Sequence, residues 1–427
     1  MVERTSHALD FMIQLGSADD ITAAAKQGVS LTVRPLFNSH VHFPPNFSAF
    51  ESVEQALDLA QDQGIGVLGA GNYYDYSVYD VFSQAAQARA IFPLYGTEII
   101  ALERPLMQQG IRVNDPGNPG RIYICGKGIT QFVDMNERAR ELLRIMRGSD
   151  TRRMATMIDK MAAAFKAGGL DTGLTEDKVI ELVATRHQCK PETIVLQERH
   201  LALAFQQAVC ELIDKDHNLG MLRTIFGVDS VPALDDAVGL QGDIRTHLMK
   251  SGKPCFVPED FLDFKQASEL INALGGIVCY PVLADGCDPR CEYEVAIDAL
   301  ITQLRDLNIH MVEFIPLRNQ PEVLTEYVTR LRQAGMAVVA GTEHNTLDLV
   351  PIDPACQGGV PMPDSVRDIL WEGTCVNVAH QFLTAQGRTG FTDEAGNANT
   401  DYGIAEERLA TFKAIGEAVL AKYFDTK

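Results

Sequence analysis

Two histidines separated by one residue, His40 and His42, form the pair whose spacing most directly suggests chemistry. They end the run 31–43, whose apolar and β-branched residues are typical of a β-strand. Alternate side chains of a strand point the same way, so both imidazoles can reach one metal ion. The same motif also arises as two ordinary histidines near a turn, and taken alone it leaves both interpretations open.

Metal-binding side chains also end two other predicted strands. Glu98 lies in the strand 91–100, and Glu343 and His344 follow the last clear strand. Each carboxylate taken singly fits a helix cap or a surface ion pair, but their shared position at strand ends favours a common site. Oxygen and imidazole ligands together suit zinc, manganese or iron. We therefore predict a divalent metal site whose ligands are His40, His42, Glu98 and either Glu343 or His344.

The segment Gly71–Tyr76, which reads GNYYDY, places polar groups at another strand end. Asp75 is a candidate general base, and Asn72 a candidate substrate-binding group or partner of a metal ligand. Tyr73 could line a pocket or act as an acid, although tyrosines in such runs are often packing residues. Both interpretations of Tyr73 stay open at this point.

These side chains need a scaffold that brings strand ends together, and the alternation of short strands and helices predicts one. Strand-like runs such as 65–71, 121–129 and 277–285 are separated by helical stretches, as in βα units around a parallel sheet. A barrel of parallel strands carries its functional residues at the strand C-termini. The predicted fold is α/β, a distorted TIM-like βα barrel.

The alternation is interrupted by a long helical stretch. Residues 1–130 and 260–385 are predicted to form the barrel, and 131–259 a helical insertion. Residues 386–427 are predicted to be a loop and a helix packed on the barrel. Between 136 and 166, eight Lys and Arg face four acids. This basic stretch is either a lid that recruits an anionic substrate or a solvated face that pairs with the acidic body.

Length and composition limit the function classes. The chain has 427 residues, 46% of them hydrophobic, and a formal net charge of −20. Such acidity disfavours nucleic acid and anionic membranes as partners, so a small-molecule substrate is expected. No apolar stretch has the length of a membrane helix or signal peptide, which predicts a cytoplasmic protein of undetermined oligomeric state. Phosphate-loop, dinucleotide-binding and serine-hydrolase motifs are missing from the sequence.

The remaining cysteines and histidines show no spacing typical of a site. The nine cysteines form no CxxC pair, which predicts reduced thiols rather than disulfides or structural zinc. Cys287 and Cys291 form the nearest pair, and a loop is favoured over a metal site there. Seven other histidines are predicted to have surface or core roles: His7, His187, His200, His217, His247, His310 and His380.

The order of these elements resembles the PHP family (polymerase and histidinol phosphatase domains) of metal-dependent phosphoesterases. The resemblance covers most of 34–130 and 245–350, including the HxH pair, the GxE element at Gly96 and Glu98, VEFIP around Glu313 and GTEHN at 341–345. It implies a distorted seven-stranded βα barrel that binds up to three metal ions. Glu343 stands where the family commonly has an acid, and His344 follows it directly.

Three histidines that the family uses appear here as tyrosines. The resemblance aligns them with Tyr73, Tyr123 and Tyr280. Neutral tyrosine is a weak metal ligand but a good hydrogen-bond donor and a candidate general acid. The resemblance therefore implies one metal ion rather than three, with Tyr73 and Tyr280 as candidate catalytic residues and Tyr123 as a candidate substrate-binding residue.

The leading hypothesis is a metal-dependent hydrolase, by resemblance a phosphoesterase, that uses metal-activated water. A second hypothesis is a metal-assisted hydrolase, lyase or isomerase that acts on a carbohydrate or a carboxylate. A third is a PHP-like binding module that has lost catalysis.

Overall fold

A seven-stranded sheet forms the centre of the computed structural model, which describes residues 7–213, 219–258 and 260–427. The order of the strands in the sheet follows their order in the chain. The strands are β1 (Leu36–Val41), β2 (Ile65–Ala70), β3 (Phe92–Leu102), β4 (Arg121–Lys127), β5 (Ile277–Val282), β6 (Met311–Phe314) and β7 (Ala337–Ala340).

Helices cover the outside of this sheet and form the insertion. Their apolar residues recur at helical spacing, and polar caps set several of their ends. In chain order they are α1 (Asp10–Gln14), α2 (Ala18–Lys26), α3 (Val53–Asp62), α4 (Tyr79–Ala88), α5 (Arg104–Gln108), α6 (Glu137–Ala167), α7 (Glu176–His187), α8 (Glu198–Leu212), α9 (Leu219–Phe226), α10 (Ala237–Ile244), α11 (Phe264–Ala273), α12 (Ile297–Asp306), α13 (Pro321–Gln333), α14 (Asp364–Ala385) and α15 (Ala405–Asp425). None of the helices in the described ranges combines the length and hydropathy needed to cross a membrane.

The sheet curves until its first and last strands meet. The backbone N–H of Glu343 donates to the carbonyl of His40 at 2.9 Å, and the N–H of His42 donates to the carbonyl of Glu343 at 2.9 Å. The residues that follow β7 therefore close the barrel beside the HxH pair. The predicted fold, a distorted seven-stranded βα barrel, is confirmed.

The direction of β4 differs from the sequence prediction. An all-parallel sheet was expected, but β4 runs antiparallel to both β3 and β5. A parallel neighbour needs a crossover that returns the chain to the opposite end of the sheet. Residues 103–120 contain only turns and the five-residue α5, so the chain simply reverses. As a result Tyr123, near the start of β4, pairs with Ile100, two residues beyond Glu98 on β3.

Two separate apolar cores underlie the molecule. The larger core lies between the sheet and the helices around it, and it includes α14 and α15. The smaller core belongs to the insertion and runs from Met154 to Cys255. The long helix α6 joins them, since its residues up to Met146 pack in the first core and those from Met154 onward pack in the second. The domain boundaries given above stay predictions.

Candidate metal centre and cavity

Three predicted ligands converge at the end of the barrel. The Nε2 atoms of His40 and His42 each lie 3.3 Å from Oε2 of Glu98. The three residues are at most 4% exposed, and their ligand atoms lie within 4.8 Å of one another. Neither Nε2 atom has a hydrogen-bond partner. Buried nitrogen atoms without partners are costly, so this arrangement fits a cation that both imidazoles and the carboxylate would hold.

Small residues make room for these rings. A Cβ atom on Gly71, which follows β2, would lie 2.2 Å from Nε2 of His40. A Cβ atom on Gly341, which follows β7, would lie 2.4 Å from Cβ of His40. The strand neighbours on both sides of β1 therefore have to be glycine at the level of the candidate centre.

The charge of Glu98 also suits a cation. Burial raises the pKa of this carboxyl group, but the attraction of the neighbouring His40 and His42 outweighs burial, and the pKa of Glu98 lies well below its usual range. Glu98 is therefore a carboxylate at neutral pH, an anionic ligand of the kind that zinc, manganese and iron accept.

A buried ion pair beneath the centre was missed by the sequence prediction. Glu313 on β6 accepts a hydrogen bond from Nδ1 of His40 at 2.8 Å. It also forms an ion pair with Nζ of Lys127 at 2.5 Å. Lys127 and Glu313 are almost completely buried. Glu313 thereby fixes the ring of His40 so that Nε2 faces His42 and Glu98. A lysine that ends an apolar strand was the only sequence signal for this pair.

Tyr73 contacts both a carboxylate and an imidazole of the candidate centre. Its hydroxyl group donates a short hydrogen bond to Oε1 of Glu98, and its ring stacks on that of His42 with a centroid separation of 5.2 Å. Burial, and then the neighbouring Glu98, raise the pKa of Tyr73 well above its usual value. The hydroxyl group therefore keeps its proton and acts as a donor.

The remaining two predicted ligands have other partners. Arg318 donates to both carboxylate oxygens of Glu343, and Asn345 donates to Oε2 at 2.6 Å. In His344, Nδ1 lies 2.7 Å from the hydroxyl oxygen of Thr342, and Nε2 lies 2.9 Å from the carbonyl oxygen of Val350. The structure thus places the carboxylate of Glu343 on the cavity wall and leaves neither ring nitrogen of His344 free.

Three further predicted site residues point elsewhere. Asn72 exchanges two hydrogen bonds of 2.8 Å with the backbone of Phe43, which ties down the loop after His42. Asp75 caps the turn at Ser77 and forms an ion pair with Arg147 at 3.4 Å. Tyr280 donates to the buried Glu294 at 2.8 Å, on the side of β5 that faces the helices.

A cavity of about 360 Å³ opens in front of the candidate metal centre. The barrel contributes His40, Tyr73, Glu98 and Tyr123 to its wall, and the insertion contributes residues of α6, α8 and the turn after α10. Tyr123 accepts a hydrogen bond from Arg121 at 2.9 Å. A substrate in this cavity would contact the barrel on one side and the insertion on the other.

The cysteines and other histidines occupy structural positions where they are described. All nine cysteines are free thiols, and the sulfur atoms of Cys287 and Cys291 lie 3.8 Å apart. His200 accepts the N–H of Gln197 at the start of α8, and His380 accepts that of Phe391. His217 lies outside the described residues.

No protein-family model and no curated protein sequence matches the chain. Two solved structures are similar to its fold. One, a candidate metal-dependent phosphoesterase from Bifidobacterium adolescentis, is 15% identical with a TM-score of 0.52, over 79% of this chain and 97% of that chain. The other, an amidohydrolase from Chromobacterium violaceum solved with bound sulfate and no metal, is 16% identical with a TM-score of 0.48, over 78% and 96%. Since such low identity shows the fold alone, membership of the PHP family stays a prediction.

Proposed function

We propose that the protein is a metal-dependent hydrolase, more specifically a phosphoesterase, and that its active site is the cavity in front of His40, His42 and Glu98. The observation that carries this proposal is the convergence of two buried, unpartnered imidazole nitrogens on one buried carboxylate. The order of motifs that resembles the PHP family supports the phosphoester specificity. The fold shared with a candidate metal-dependent phosphoesterase is consistent with it.

The three ligands fit a single divalent ion. When bound, zinc, manganese or iron at this position would polarise a substrate oxygen and lower the pKa of water. His40 and His42 would hold such an ion through Nε2, and Glu98 would hold it through its carboxylate. Glu343 is a fourth candidate only if Arg318 releases one of its oxygens.

The other residues around the centre orient groups and hold protons. Tyr73 keeps Glu98 in place through its hydroxyl group and presents a protonated oxygen to the cavity. Arg318, bound to Glu343, contributes positive charge to the same wall. We assign supporting roles to Asn72, Asp75 and Tyr280, because each is bonded to neighbouring protein groups away from the cavity.

Replacement of His42 tests the centre directly. We expect purified wild-type protein to retain about one transition-metal ion per chain by elemental analysis and to hydrolyse phosphoesters. His42→Ala should lose both the ion and the activity, because only two of the three ligands remain. His7→Ala, which changes an exposed histidine, is the matched control and should retain both. Metal retention by His42→Ala at the wild-type level would show that the centre is wrongly assigned.

The same preparation separates the alternatives. A bound ion without cleavage of any phosphoester in a broad panel would favour a metal-assisted hydrolase, lyase or isomerase that acts on a carbohydrate or carboxylate. Wild-type protein that binds no transition metal even after reconstitution would favour a binding module without catalysis.

A further inference from the structure

Among the charged residues that line the cavity in front of the candidate metal centre, cations outnumber acids. Apart from Glu98, the described wall contains four acids and six cations. The acids are Asp115, Asp150, Glu198 and Glu343, and the cations are Arg121, Arg153, Arg199, Arg245, Lys250 and Arg318. This excess stands out in a protein whose net charge is −20.

Arg199, in the first turn of α8, is one of two incompletely paired cations in this lining. It forms no ion pair with a carboxylate of the described residues, and its hydrogen bond to Oδ1 of Asn345 is long, at 3.4 Å. Burial and the nearby Arg245 lower the pKa of Arg199 to about 10, although the nearby Glu343 acts in the opposite direction. Burying a guanidinium group beside a like charge is costly unless an anion compensates for it.

Arg245 is the second incompletely paired cation. Its Nε atom is buried without a hydrogen-bond partner, and its nearest carboxylate oxygen, on Glu198, lies 3.9 Å away. Glu198 is already bound more closely by Arg153 at 2.6 Å and by Lys250 at 3.1 Å. Three cations thus share the carboxylate of Glu198, and Arg245 is the most distant of them.

The backbone that carries Arg245 and Lys250 is unusual. Residues Arg245–Met249 form a single π-helical turn directly after α10, and Lys250 ends that turn. Single π-helical turns are rare and are frequently found at functional sites. Here the turn places Arg245 and Lys250 on the same cavity wall as Arg199.

We propose that Arg199 and Arg245 form an anion subsite in the helical insertion, which binds a phosphate group of the substrate across the cavity from His40, His42 and Glu98. The subsite rests on the proposed function in one respect, namely that this cavity is the active site. A phosphate group carries close to two negative charges and several acceptor oxygens, which matches two incompletely paired guanidinium groups. A carboxylate carries one charge and would leave one of them uncompensated. The insertion thereby acts as the part of the protein that selects the substrate.

Binding of inorganic phosphate to metal-free protein, measured by calorimetry at low ionic strength, tests the subsite without requiring catalysis. We expect saturable binding to the wild-type protein. In Arg199→Met and in Arg245→Met the affinity for phosphate should fall by a factor of about ten or more, because each variant loses a charge-assisted contact. Arg199→Lys should recover part of the affinity. Acetate should bind more weakly than phosphate. Arg152→Met, which removes an exposed arginine of α6, is the control and should bind phosphate as the wild type does.

Thermal unfolding distinguishes recognition from a structural role. Because Arg199 has no carboxylate partner among the described residues, Arg199→Met should unfold at the wild-type temperature or higher in phosphate-free buffer, and phosphate should stabilise only the wild type. A loss of stability in that buffer, unchanged phosphate affinity, or wild-type protein that binds no phosphate would overturn the subsite.

The metal centre is tested separately by the same titration. His42→Ala should bind phosphate as the wild type does, and phosphate binding that disappears in this variant would place the anion at the metal centre and contradict the subsite. Phosphate binding that follows Arg199 in a protein that hydrolyses no phosphoester would count against the proposed function alone.

Discussion

The buried ion pair between Lys127 and Glu313 shows how the residues beneath the candidate centre depend on one another. Glu313 contacts both Lys127 and His40, and none of the three reaches solvent. The attraction of these partners holds the pKa of Glu313 at about 2, in spite of the burial that opposes ionisation. The carboxylate is therefore charged, and it needs Lys127 as a counter-charge.

Replacing Lys127 by Met should lower the free energy of unfolding by about 3–5 kcal/mol, because an unpaired carboxylate would remain buried. The double variant Lys127→Met, Glu313→Gln should lose less than Lys127→Met alone, since it removes both charges. Urea unfolding measures both. Lys166→Met, at an exposed ion pair with Asp171, is the control and should stay close to the wild type. Equal losses for the single and double variants would contradict the assigned pairing.

At the scale of elements, β5 shows how one strand serves two environments. Cys279 lies near Lys127 and Glu313 inside the barrel, whereas the next residue, Tyr280, faces the outer helices and donates to Glu294. Glu294 also accepts the N–H groups of Leu283 and Ala284 at 2.9 and 2.8 Å. Glu294 thus anchors the loop that leads from β5 to α12, a loop whose first residues line the cavity.

Glu294 should make stability depend on pH. Burial raises its pKa to about 7, although Tyr280 and the two backbone N–H groups act in the opposite direction. The folded protein therefore binds this proton more tightly than the unfolded chain does, for which the pKa is about 4.5. The resulting stabilisation is complete below pH 4.5 and is lost as the pH rises through 7.

Gln at position 294 stays neutral at every pH. We therefore expect the free energy of unfolding of Glu294→Gln, relative to that of the wild type, to rise by about 1–3 kcal/mol between pH 5 and pH 8. Urea unfolding at the two pH values measures the change. Glu181→Gln, on the exposed side of α7, is the control and should follow the wild type. If the free energies of unfolding of the wild type and of Glu294→Gln change in parallel with pH, the pKa of Glu294 is not raised.

At the scale of the whole molecule, α6 contributes residues to both apolar cores, while the cavity is lined by residues of the barrel and of the insertion. The candidate metal ligands belong to the barrel, and Arg199, Arg245 and Lys250 belong to the insertion. The relative position of the two parts therefore determines whether both sets of residues can contact one substrate.

Each of the two cores should lose its protection from amide hydrogen exchange independently of the other. Met161 is fully buried in the insertion core, and Met311 is fully buried in the barrel core. We expect Met161→Ala to cost about 2–5 kcal/mol and to speed amide hydrogen exchange mainly between residues 154 and 255. Met311→Ala, the matched control, should speed exchange mainly in the barrel strands. Equal acceleration in both parts by either variant would indicate one cooperative unit.

The sequence by itself determined the class of fold and singled out His40, His42 and Glu98 as candidate ligands. Alternating strand and helix patterns depend on local spacing, so they predicted a βα barrel, and the HxH pair needed only the period of a strand to place two imidazoles together. Only the tertiary structure decided the contacts of Lys127 with Glu313, the side of β5 that Tyr280 faces and the meeting of Arg199 with Arg245. These features either join residues that are distant in the chain or depend on which face of a strand a residue occupies. Neither kind of feature leaves a local pattern in the sequence.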